Sequence, residues 1–122
     1  MKTTQGKVIA AFGALLSVSQ QKIPSFAAFK LFRLKKALAE IVDFQAEQEQ
    51  KIVEELGGSI DKMGRFHLPN DEKTNEYIEK HKELDALECE VNTERITMFM
   101  KEVPEISVSE MEALDEFIEW KE

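Results

Sequence analysis

The chain has little of what staples small proteins or marks catalytic ones. It holds one cysteine, so no internal disulfide is possible. Its two histidines, His67 and His81, are with Cys89 the only soft metal-ligand candidates. No two of these fall at a Cys-x-x-Cys or His-x-x-x-His spacing, and a zinc site needs three or four ligands in tight pairs. Gly-x-Ser-x-Gly and Gly-x-Gly-x-x-Gly are both missing. Gly57-Gly58-Ser59 follows a helical stretch instead of opening one, which excludes a phosphate cradle of the P-loop kind. Long hydrophobic runs are missing too: Val8 to Val18 is about half of the roughly 20 residues that span a bilayer. Lysines before that run and Ser17-Val18-Ser19 at its end have the layout of a secretory signal. However, Val8, Ala11, Phe12, Leu15 and Leu16 recur at helical spacing, which predicts a core helix at 8–19 and a protein that is not secreted.

What remains is 122 residues, 43% apolar and 33% charged, with three prolines and five glycines. A chain of this size forms one globular domain and buries roughly two-thirds of its unfolded surface without disulfides or metal. Acid is entirely missing from residues 1–39, which carry Lys2, Lys7, Lys22, Lys30, Arg33, Lys35 and Lys36. Residues 40–122 hold the other nine bases and all 24 acids, a net of −15, so the overall −8 hides a boundary at Glu40. Such asymmetry bears on solubility and partners, not on fold.

Apolar spacing and punctuation predict the elements. Pro24 closes a polar connector, and residues 25–56 contain no Gly or Pro, giving a helix of about 30 residues and roughly 45 Å. Its stripe is Leu34, Leu38, Ile41, Gln45, Gln48 and Ile52, a 3,4 spacing suited to a partner helix. Residues 59–69 read as a β-hairpin or loop after the Gly57-Gly58 stop. A helix at 72–91, capped by Asn70 or Asp71, offers the narrow seam Tyr77, His81, Leu84, Leu87 and Val91. Ile96, Met98 and Met100 alternate with Thr97, Phe99 and Lys101, predicting a strand at 94–101. Ser109-Glu110-Met111-Glu112 reads as a capping box opening a last helix at 109–120. The expected fold class is therefore mainly α with minor β. A long antiparallel helical hairpin is joined by an N-terminal helix, a small β-hairpin or strand element and a C-terminal helix.

Candidate chemistry is thin. His81 and Asp85 stand one turn apart, which fits a core-edge histidine beside a solvated carboxylate better than two metal ligands. Cys89 lies between Glu88 and Glu90, whose charges disfavour a thiolate and so a nucleophile. Carboxylate pairs such as Glu54-Glu55 are the ordinary solvated face of an acidic helix, and thin seams leave no room for the dry pocket that acid–base catalysis needs. The expectation is no enzyme, no metal and no cofactor. The basic third is more informative, because Lys30, Arg33 and Lys36 fall on or near one side of the long helix, among Phe26, Phe29 and Phe32. Aromatic and Arg residues lead interface energetics, making these six the candidate contact surface. The competing reading buries the phenylalanines under the helix at 8–19.

Across most of the chain, spaced residues match a known pattern: Leu15-Leu16, Ile23-Pro24, Phe29, Leu31, Leu34, Phe44 and Gly57, then Arg65 to Pro69, Glu83-Leu84, Leu87 and Glu90-Val91. Leu114 and Phe117-Ile118-Glu119 close it. Together they resemble an uncharacterised family of small phage and prophage proteins, a domain of unknown function, whose N-terminal segment is longer than this one. The resemblance implies a phage or prophage origin, hence host cytoplasm or virion, and supplies no catalytic residue. The expected function is protein–protein association, with self or with an acidic partner, as a structural, assembly or adaptor component. Two alternatives stand beside it: an acidic inhibitor that imitates nucleic-acid phosphates, and nucleic-acid binding through the basic third. No membrane partner is expected.

Overall fold

The computed structural model describes residues 1–122. Absence of breakers lets one helix, α2 (Ser25–Glu55), run 31 residues, about 46 Å. It forms the spine of the molecule. Gly57 stops it at φ 77°, in the left-handed region, while the Gly58 amide reaches back to the Val53 carbonyl and the Gly57 amide to that of Glu54. A side chain at Gly58 would lie 2.6 Å from the His67 carbonyl, so that glycine admits the returning chain. The return is a tight hairpin of β2 (Ser59–Ile60) and β3 (Phe66–His67), knitted by Asp61 Oδ1, which accepts from the Met63 and Arg65 amides. Asn70 then caps α3 (Asp71–Ala86) by accepting from the Lys73 amide, and α3 runs antiparallel to the C-terminal half of α2.

Helix α1 (Gln5–Val18) packs on the N-terminal half of α2 through Val8, Ala11, Ala14, Leu15 and Val18 against Ala27, Leu31, Leu34 and Leu38. Ala11, Ala14 and Ala27 are buried in this contact, and each buried Leu or Val contributes about 2 kcal/mol of burial. Helix α4 (Val108–Leu114) and the residues that follow it close the same core with Leu114, Phe117 and Ile118. No helix is long and apolar enough to cross a membrane.

Several expected boundaries are corrected. The first helix begins at Gln5, and it buries Ala14 and Val18 while Leu16 stays exposed, because α2 and α4 flank it on the alanine side. Before it, β1 (Lys2–Thr4) pairs antiparallel with β4 (Glu88–Glu90), placing Lys2 opposite Glu90. That pairing is why the helix expected at 72–91 stops at Ala86: Leu87 is extended and its carbonyl accepts from the Gln5 amide. Leu87 is therefore exposed, and Val91 enters the main core from the strand side instead of the helical seam. The strand expected at 94–101 is β5 (Ile96–Phe99), followed by a 3-10 turn at Met100–Glu102.

The helix expected at 109–120 is cut to Val108–Leu114, and β6 (Ile118–Lys121) replaces its second half, pairing parallel to β5 with Ile96 opposite Ile118 and Met98 opposite Trp120. Arg95 secures this crossover by donating to the Asp115 carbonyl at 2.9 Å. The capping box starts at Ser107, not Ser109: Ser107 Oγ accepts from the Glu110 amide, and Glu110 Oε1 accepts from the Ser107 amide.

Candidate interaction surface

Residues 25–38 carry more hydrophobic side chains than one helix face can hold. The structure resolves the excess in one direction. Ala27, Leu31, Leu34 and Leu38 take the side facing α1, and Phe26, Phe29 and Phe32 point away from it, 85%, 57% and 55% exposed. The reading that these phenylalanines pack under the first helix is therefore overturned: α1 is satisfied by the aliphatic side of α2.

Cations accompany the exposed rings. The Arg33 guanidinium sits 5.9 Å from the Phe29 ring centroid, and the Lys36 ammonium 5.7 Å from that of Phe32. Each stacking contact is worth about 0.5–1 kcal/mol at an exposed site and holds the ring in place. Lys30 differs from its neighbours, since its Nζ donates to the Thr97 carbonyl of β5 at 3.0 Å and so anchors the sheet to α2. Of the six candidate residues, five are free to meet a partner.

This face forms one wall of an open groove of about 1280 Å³, whose other wall is the segment from Glu90 to Ile96 and the N-terminus. The Met1 ammonium donates to Glu90 Oε1 at 2.8 Å and to the Val91 carbonyl at 2.9 Å. That hydrogen bond and the ammonium charge, with Lys2 beyond, hold the Glu90 carboxyl below the usual carboxylate range. The second wall leaves no local signal in the sequence, because the β1–β4 pairing brings it alongside α2. The groove lining contains no histidine, cysteine, serine or tyrosine. Its lining sets the Phe29 and Phe32 rings and the cations of Arg33, Lys36 and Arg95 beside the carboxylates of Glu40, Glu90 and Glu94.

Past Lys36 the same outer face turns acidic. Glu40, Asp43, Phe44 and Glu47 follow at helical spacing and are all exposed, Phe44 at 45%. Sequence reasoning marked the charge boundary at Glu40 but did not place Phe44 on the Phe29 face; a count of threes and fours from Phe29 finds it.

A second polar cluster lies in the α2–α3 seam. Gln45 Nε2 donates to Asp85 Oδ1 at 2.8 Å, and His81 bridges Glu49 at 2.8 Å and Asp85 at 3.3 Å. Tyr77 packs beside His81, and desolvation, then the charges of Glu49 and Asp85, push its hydroxyl up to about 12. No group of three or more His, Cys, Asp or Glu side chains is arranged to hold a metal ion. Cys89 has its thiol pushed up first by desolvation and then by Glu116 and Glu90; Glu116, contributed by the far end of the fold, takes the place expected for Glu88. No protein-family model, curated protein or solved structure matches the chain.

Proposed function

We propose that this protein works by protein–protein association through the outer face of α2, as a structural, assembly or adaptor component, and that it performs no catalysis itself. The setting is the phage or prophage one implied by the family resemblance, in host cytoplasm or virion. One observation carries the reading: three phenylalanines in the first turns of a long helix stay in water, flanked by Arg33 and Lys36, although an aliphatic core lies on the same helix's other side. Monomers keep few contiguous apolar patches of this kind without a use for them, and aromatic rings beside Arg are the usual anchors of an interface.

The test is partner retention by the double variant Phe29→Ser, Phe32→Ser, using immobilised protein and extract of a host that carries the phage. The wild-type chain is expected to hold its partner and the variant to lose it, while both keep the same circular dichroism spectrum. Retention by the variant would contradict the reading. Salt separates the other classes, since phosphate mimicry or phosphate tracking loses about a thousandfold in affinity between about 50 and 200 mM salt, and an aromatic-centred contact does not.

A further inference from the structure

On the reading of this face as the contact surface, we infer that its occupant is a second copy of the same chain, with the two α2 helices antiparallel about a two-fold axis beside the Lys36–Glu40 turn. The face is self-complementary in that arrangement and in no parallel one. Its first half presents Arg33 and Lys36, its second half Glu40, Asp43 and Glu47, all exposed. None of these five has an ionic partner within the chain. Turned end for end, Arg33 and Lys36 meet the partner's Glu40 and Asp43, and the two-fold makes every such pairing twice. Parallel helices would set like charges together.

Ring surface supplies the affinity, and the charges fix direction and register. Phe26, Phe29, Phe32 and Phe44 leave roughly 500 Å² of aromatic surface in water on each copy, taking about 200 Å² per ring. A standard interface buries about 800 Å² per partner. The open groove beside Phe29 and Lys36 gives the facing helix room to make up the difference against residues 90–96.

Sedimentation equilibrium tests this with two charge variants, Arg33→Glu/Lys36→Glu and Glu40→Lys/Asp43→Lys, whose sites make no ionic or hydrogen-bonded contact inside the protomer. The wild-type protein is expected at twice its 14.0 kDa chain mass. Each variant alone sets like charges face to face and dissociates, its dissociation constant rising about tenfold or more. An equimolar mixture restores opposite charges at every position and returns to the doubled mass. A dimer untouched by the variants, or variants that stay apart when mixed, overturns the antiparallel pairing. A wild-type chain that remains monomeric at about millimolar concentration overturns self-association outright. If it still loses its host partner on Phe29→Ser/Phe32→Ser, the broader contact-surface reading survives. A monomer that gains mass only on adding a short single-stranded oligonucleotide overturns self-pairing in favour of phosphate recognition.

Discussion

From Ala27 to Leu38, α2 is held by aliphatic packing against α1, with every inward side chain dry. From Gln45 to Glu49 the same helix is held to α3 by an amide, an imidazole and two carboxylates. The first contact depends on shape and excluded water, the second on hydrogen bonds and ion pairs that leave Gln45 Oε1 buried without a partner, and neither local helix propensity nor length distinguishes them. The difference explains where a working surface can sit. Behind the dry half, exposed phenylalanines are carried on a helix whose position does not depend on them, whereas the wet half spends its polar groups on holding the hairpin closed.

The largest effect that separates the two halves is expected from Leu38→Ala. Leu38 is fully buried, so the cavity and lost transfer energy cost about 3 kcal/mol. Urea unfolding with an unchanged slope measures it, and a loss below about 1 kcal/mol would mean the dry half is not packed as described. Gln45→Ala is expected to cost less, about 1 kcal/mol, by removing one of the two side chains that hold Asp85, which keeps His81 at 3.3 Å and reaches solvent. A cost equal to that of Leu38→Ala would erase the contrast between the halves, and no cost would remove the seam from the account.

The seam's electrostatics give a sharper test. Tyr77 has its ordinary value of 10.0 raised to about 12 in the folded state. The folded protein therefore holds the phenolic proton more tightly than the unfolded chain, and the stabilisation is present below pH 10 and lost as pH climbs to about 12. Melting temperatures taken across that window should fall less steeply for Tyr77→Phe than for the wild-type protein. Identical slopes would place Tyr77 outside the acidic seam. The smallest effect is expected at Cys89, whose raised thiol pKa should make alkylation at pH 8 slower in the folded protein than in urea. Equal rates would contradict its desolvation.

Local signals made the long elements legible. A breaker-free run predicted α2, Gly57-Gly58 its stop and Asn70 the start of α3. The short strands were beyond reach for a physical reason: β1 finds β4 across more than 80 residues, and three-residue segments carry no periodicity of their own. A nonlocal pairing also misled the reading of the C-terminus, where Leu114, Phe117 and Ile118 satisfy helical spacing until β5, 22 residues back, claims Ile118 and Trp120. At the candidate surface the residue types were visible and their orientation was not. Whether Phe29 or Leu31 faces α1 is decided by which side of α2 the buried residues of α1 cover, a property of the packed pair.

The most direct measurement is a dilution series followed by amide NMR. Association through the outer face of α2 predicts concentration-dependent shifts at Phe29, Phe32, Lys36, Asp43 and Phe44, with the Gln45–His81 seam and the β2–β3 hairpin unmoved. Shifts that spare Phe29 and Phe32, or that gather at α4 and β6, would contradict it.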